Sequence, residues 1–447
     1  MAEKINRTII RLTFPSILTN ITVPVLGLCD TGIAGHLGDG RYIGAISIGA
    51  MMLNVLFWLC GFLRMGTTGL TAQAYGAGDD DGVRRVFTRS FFLAVVIGAL
   101  ILICCIPLCH LLLLIIGAED SVRQLASTYF FICIFGTPAQ LATMSISGWF
   151  LGMQNTVRPM IVAISTNIIN IALSFLAVFY FDLGFAGVAY GTLTANWCGL
   201  ILALLLAKQF VSGSRLWAPF SDIFKGGTLR RFFSVNSDLF FRSACVMGVS
   251  LTVTALGARL GWLTLGTNAV MMQFFILFSY FMDGFAFTGE ALTGKYLGSG
   301  NDVMLRRSVK YLILWSIGMA VTFLAIYTVG WRALVNLLTD VEAVRQNVEI
   351  YHYWLILIPP VTVSAFIFDG FFIGLTATRR MLFVTMSAAS VFFLIAFVHP
   401  DSLPHVSLPT NDTLWLAFLC DLFLRGVLLA VQMPSLLRKH SINKQLQ

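Results

Sequence analysis

Twelve long apolar stretches run along this 447-residue chain and leave it almost no choice of fold. They cover residues 10–36, 43–75, 86–116, 122–151, 157–181, 184–210, 230–257, 263–296, 304–333, 345–374, 380–399 and 412–436. A helix needs roughly 20 apolar residues to cross a bilayer. Lipid offers the backbone no hydrogen bonds, so each stretch must satisfy its own and is expected to be helical. The chain is 57% hydrophobic and 11% charged, whereas soluble domains carry about 25% charged residues. A large soluble domain is thereby excluded. A net charge of +8 would suit a nucleic-acid binder. Here, however, the basic residues gather in short loops between spans, which fits membrane topology and anionic headgroups instead.

The basic residues also give an orientation. Most fall on the side of the N-terminus, among them Lys4, Arg7, Arg84, Arg85, Arg158, Lys225, Arg306, Arg307, Arg379 and Arg380. Only Arg41, Arg123, Arg259, Arg332 and Arg345 fall on the other side, so both termini are expected in the cytoplasm. The polar start, Met1 to Arg11, runs into the first span without a small-residue cleavage site and reads as an uncleaved first helix. The nine cysteines lie mostly inside apolar runs at no metal or disulfide spacing, and read as small apolar residues.

A constant displacement of 222 positions carries Gly78 onto Gly300, Arg84-Arg85 onto Arg306-Arg307, Gly148 and Gly152 onto Gly370 and Gly374, and Arg158 onto Arg380. One offset joining separate loops implies a duplicated unit. An even number of helices per unit preserves orientation, so the expected fold is an all-α membrane protein: twelve transmembrane helices in two six-helix bundles related by a pseudo-two-fold axis along the membrane normal. The expected divisions are 1–211, a cytoplasmic linker 212–229, and 230–447. A second break is expected at His399 to Asn411, where Pro400, Pro404 and Pro409 would form an outer loop.

Charges inside spans are costly and ask for a reason. Asp30 follows Pro24 and Gly27 well inside the first span. A lone carboxylate in apolar surroundings suits reversible proton binding, and with neighbouring oxygens it could hold Na+. Asn170 and Ser174 share a face of the fifth span with Asn167, and Thr192 adds an oxygen from the sixth. Asp238 with Arg242, and Asp421 with Arg425, have the i,i+4 spacing of a salt bridge. Asp283 and Glu290 fall on one face of the eighth span, with Lys295 placed to neutralise Glu290. Asp369, after Pro359-Pro360, is a candidate second coupling or substrate site.

Gly289 to Tyr296 nearly spells a phosphate-binding loop. Tyr296 stands where the metal-ligating hydroxyl belongs, and the segment ends an apolar helix rather than following a strand. No ATP-binding engine, catalytic constellation or cofactor motif is visible, so transport driven by an ion gradient is expected, not an enzyme.

The chain resembles the multidrug and toxic compound extrusion (MATE) family, in its DinF-like branch. The likeness rests on Pro15-Ser16, Asp30-Thr31, Gly35-His36-Leu37-Gly38, Gln73 to Gly78, Arg158-Pro159, Asn170 to Ser174 and Gly184 to Thr192. The branch shows in Asn236-Ser-Asp238-Leu-Phe-Phe-Arg242, Asp283-Gly284, Glu290 and Asp369 to Gly374. The resemblance implies alternating access and export of amphipathic, cationic compounds coupled to H+ or Na+. It places the ion site on Asp30, Asn170 and Thr192, the three positions that would hold Na+ if Na+ is the ion, with Tyr129 as a further member of the site. Where many relatives carry a second helix-five Asp, this chain has Ser174. A monomer in the inner membrane is expected, with small molecules and lipid as its partners and no nucleic acid. Two other readings are a lipid-linked substrate flippase, which would favour a strongly cationic cavity, and a polytopic enzyme, which would need an interfacial His or Asp cluster.

Overall fold

The computed structural model describes residues 2–37, 39–116, 120–211, 215–219, 222, 227–397 and 410–445. Among these, twelve segments are helices long and apolar enough to cross a membrane. Gly38, the proline loop at 398–409 and parts of the linker (212–214, 220, 221 and 223–226) lie outside the described residues.

The chain divides into two compact units, Phe14–Asn236 and Met1–Thr13 with Ser237–Gln447. The first holds most of α1 (Ala2–Gly35), then α2 (Gly40–Leu59), α3 (Phe62–Ala77), α4 (Asp80–Ile103), α5 (Cys105–Ile116), α6 (Asp120–Cys133), α7 (Thr137–Gly152), α8 (Val157–Phe179) and α9 (Gly184–Phe210). The second holds most of α10 (Gly227–Arg259), then α11 (Trp262–Gly298), α12 (Asp302–Leu338), α13 (Glu342–Gly374), α14 (Thr378–Phe397) and α15 (Thr410–Gln445).

Hydropathy alone does not locate the breaks. The second span is interrupted at Cys60-Gly61, between α2 and α3. The third, read as one run to 116, is α4 followed by the separate α5. The fourth is broken by one 3-10 turn, Ile134–Gly136, between α6 and α7. Conversely, Pro15, Pro24, Pro359 and Pro360 lie within continuous helices.

The repeat is visible in backbone geometry. Gly78 and Gly300 both take positive φ, 71° and 61°. Each ends its helix in a left-handed turn, which glycine enters without steric cost. The next residue caps the following helix: Asp79 accepts from Gly82 N and Asn301 from Met304 N. Gln154 and Thr376, also equivalent, are non-glycine residues with φ of 62° and 50°. The helix crossings repeat as well. A Cβ on Gly148 would stand 3.0 Å from Arg64 Cα, and one on Gly370 2.8 Å from Ala286 Cα. Gly152 meets Thr71 and Ala72, while Gly374 meets Thr293 and Glu290. Small residues let the helices approach where lipid offers no hydrophobic drive to associate.

The described part of the linker is tied down within its unit. Trp217 packs edge-on against Phe87 and Phe91, with centroids 5.1 and 5.0 Å away, and Ala218 N donates to Thr88 Oγ1 at 2.9 Å.

Overpacking a tight crossing costs about 1–3 kcal/mol. Gly152→Ala and Gly374→Ala should therefore each lower the unfolding midpoint in detergent. Gly330→Ala, with nothing within 4 Å of its added Cβ, should leave the midpoint unchanged or raise it.

Candidate functional site

Each unit buries a polar cluster built on a span carboxylate that the sequence singles out, Asp30 in one and Asp369 in the other. In unit 14–236 the cluster begins with Asp30 on α1. One turn later, Ile33 and Ala34 enter an apolar core shared with Tyr129, Phe185, Val188 and Ala189. Asp30 is 9% exposed, and its Oδ1 is buried without a hydrogen-bond partner. Tyr129 on α6 lies close enough to feel the Asp30 charge and sits near Thr192 and Cys133. Gly49 on α2 makes room for it, since a Cβ there would come 2.5 Å from the Tyr129 ring.

Beyond Tyr129 the polar groups form a chain across α8 and α9. Asn170 Nδ2 donates to Thr192 Oγ1 at 3.3 Å, and Ser174 Oγ donates to Asn170 Oδ1 at 3.0 Å. The Thr192 hydroxyl donates back to Val188 O at 3.1 Å. Such bonds contribute on the order of 1 kcal/mol each, and leaving them unmade costs more. The chain forms because α9 presents a stripe of small residues, Gly187, Gly191, Ala195 and Gly199, at every fourth position. A Cβ on Gly191 would stand 2.8 Å from Ser174 Cα. Asn167 sits outside this chain and donates to Thr22 O on α1 at 3.3 Å.

Of the oxygens expected to hold Na+, those of Asn170 and Thr192 already take part in the α8–α9 hydrogen bonds. The Asn170 carbonyl oxygen already accepts from Ser174, and the Thr192 hydroxyl is engaged on both sides. Asp30 shows no hydrogen bond to Asn170 or Thr192 among the described residues; Tyr129 is near both Asp30 and Thr192. No group of three or more His, Cys, Asp or Glu side chains placed to hold a metal ion occurs among the described residues.

In the other unit, Asp369 on α13 is the centre. Its Oδ2 accepts from Arg242 Nη2 on α10 and from Arg425 Nη2 on α15, the latter at 2.7 Å. Asp421 stands 3.8 Å from Arg425 Nη1, so the i,i+4 pair on α15 forms, but loosely. The other expected pair does not form. Asp238 accepts instead from Thr378 Oγ1 at 2.8 Å. Arg242 turns to the buried Asp369, where a carboxylate in low dielectric attracts it more strongly than a half-buried one. Glu290, 1% exposed, acts electrostatically on Arg242. Asp283 is half-buried beside Tyr280. Asp369 is thus neutralised, in contrast to Asp30.

Sequence reasoning missed Cys133, Gly49 and the Arg242–Asp369–Arg425 bridge. The α9 stripe, and Tyr129 with Cys133 four residues apart, were the available signals for the first unit. Nothing local marks the choice between Asp238 and Asp369 in the second.

Breaking a buried ion pair by removing one partner costs about 3–5 kcal/mol. Arg425→Ala, which leaves both Asp369 and Asp421 short of a counter-charge, should lower the unfolding midpoint in detergent well below that of Arg332→Ala, whose Glu349 partner is exposed.

The sequence profile of the MatE family matches residues 15–176 and 239–398. DNA damage-inducible protein F of Escherichia coli (strain K12) is 34% identical over 419 residues, covering 94% of this chain and 90% of that protein. The probable multidrug resistance protein NorM of Thermotoga maritima is 25% identical over 314 residues, 67% of this chain and 64% of the relative. A crystal structure of MATE in the bent conformation superposes with a TM-score of 0.85 at 16% identity, covering 98% of this chain and 97% of that one. The Vibrio cholerae MATE transporter VcmN in its bent form gives 0.84 at 16% identity, covering 99% of both chains. These structural likenesses are of fold. The profile reaches into both halves of the repeat and one relative aligns over nearly the whole chain, so this chain belongs to the MatE family, as a multi-pass membrane transporter of the multidrug efflux class.

Proposed function

We propose that this chain is a proton-coupled antiporter that exports small amphipathic, cationic compounds across the inner membrane, with both termini in the cytoplasm. The observation that carries the reading is Asp30, a buried carboxylate whose Oδ1 has no hydrogen-bond partner, beside a chain of neutral polar groups. A carboxylate in that setting takes and releases a proton at small structural cost. Each change of charge alters its interaction with Tyr129 and with the α8–α9 chain. That difference between protonated and ionised forms is what a coupling ion needs in order to shift a conformational equilibrium.

Ser174 favours H+ over Na+. A single carboxylate with its neighbouring oxygens already engaged offers little to a desolvated Na+, whereas a proton needs only the carboxylate itself. The phenylalanine- and methionine-rich composition, 38 and 16 residues, supplies flexible apolar and aromatic surface suited to varied ligands. A cationic substrate and a proton would compete for the same negative charge, which gives exchange without a cofactor.

Purified protein in liposomes provides the test. Wild-type protein should drive efflux of a cationic dye under an imposed pH gradient and not under a Na+ gradient alone. Asp30→Asn should reach the membrane in normal amount and reduce pH-driven efflux to background. Full pH-driven efflux by Asp30→Asn would reject the assignment, and efflux driven by Na+ alone would reject the choice of ion.

A further inference from the structure

The fourth span changes character at Cys133. α6 ends there, the 3-10 turn Ile134–Gly136 follows, and α7 starts at Thr137 with Pro138 in its first turn. Proline lacks an N–H, so the α-helical bond to the Ile134 carbonyl cannot form; the Thr137 N–H takes that carbonyl instead. A 3-10 stretch inside a long helix is a common site for bending.

α9 holds this break from one side. Cys133 Sγ donates to Ala189 O at 3.6 Å, and Trp197 Nε1 donates to Phe135 O at 3.3 Å. Gly136 permits the approach, since a Cβ there would stand 2.8 Å from Asn196 Nδ2. Tyr129 lies one turn before Cys133, and Thr192 one turn after Ala189. Two successive turns of α6 therefore face two successive turns of α9. Cys133 bonds to the Ala189 carbonyl, and Tyr129, one turn away in the same apolar core, lies near Thr192 and Cys133. Cys133 is fully buried, in the same apolar core as Tyr129 and Ala189.

We propose that Cys133 is a positioning residue of the ion site: its thiol ties the break in the fourth span to α9 and thereby holds the Tyr129 hydroxyl between Thr192 and the Asp30 carboxylate. The inference rests on the antiporter reading above. A thiol suits the task. It fills an apolar position and donates weakly to a carbonyl. Among the described residues, the titratable groups facing this point are Asp30 from α1 and Tyr129 and Cys133 from α6. α8 and α9 contribute the neutral Asn170, Ser174 and Thr192, and α2 presents Gly49 and apolar side chains.

The test is the pH profile of dye efflux in proteoliposomes. Cys133→Val keeps the volume and removes the hydrogen bond to Ala189 O. It should move the pH of half-maximal efflux by about half a unit or more in either direction, with near-normal membrane content. Cys133→Ser, which keeps a donor and an acceptor, should move the profile back toward wild type. In a Tyr129→Phe background, Cys133→Val should add no further shift, because no hydroxyl remains to be held. A wild-type profile for Cys133→Val, or an equal shift in the Tyr129→Phe background, overturns the proposal. Should Cys133→Val fail to accumulate, Gly49→Ala presses on the Tyr129 ring from α2 and should shift the profile likewise; an unshifted profile there overturns it. Asp30→Asn in the same assay separates the two readings. If it retains pH-driven efflux, the antiporter reading falls; if it is inactive while Cys133→Val is unshifted, only the role of Cys133 falls.

Discussion

Removing a charge from water without giving it a partner is among the costliest things a membrane span can do, and this fold handles that cost in opposite ways in its two units. Around Asp369 the cost is offset by opposite charge, with two guanidinium groups on one carboxylate oxygen and Asp421 beside them. Around Asp30 it is left open. Among the described residues no basic side chain pairs with Asp30, and the neighbours are neutral groups bonded mainly to one another. The first arrangement is a brace, since any change of charge there strands another ion. The second is a switch, since only the carboxylate itself has to change.

The scaffold beneath the two clusters is the same. Left-handed turns, helix caps and glycine crossings recur at one displacement, whereas the buried charges do not. The positions equivalent to Asp369, Arg242 and Arg425 are Ser147, Asn20 and Ala203, and Asp30 corresponds to Thr252. Duplication therefore accounts for the framework, and the polar chemistry was fitted to each half separately. Close helix approach made that fitting possible. On α9, the small-residue stripe brings Ser174 and Asn170 within reach of Thr192 and Val188.

What could be read in the sequence was what is local. Apolar length located the spans, and turn residues such as Gly78 and Asp79 marked the repeat because their backbone requirements are written in single positions. Asp30 was legible because a carboxylate in an apolar run stands out. The breaks at Cys60-Gly61 and Ile134–Gly136 were not, because hydropathy continues straight through them. The partner of Arg242 was not, because Asp238 satisfies the helical spacing equally well and only the fold brings Asp369 within reach. Cys133 read as filler for the same reason: its significance depends on which carbonyl of α9 it faces.

The distribution of charge among α10, α13 and α15 bears on how the second unit is assembled. α15 carries its own counter-ion, Asp421 one turn before Arg425, and can enter lipid as a nearly neutral rod. α10 brings Arg242, and α13 brings Asp369 to the same cluster. Each of the two is apolar enough to span alone but carries an uncompensated charge in lipid, so their meeting removes a cost on the order of 3 kcal/mol per charge and favours the packed half over separated helices.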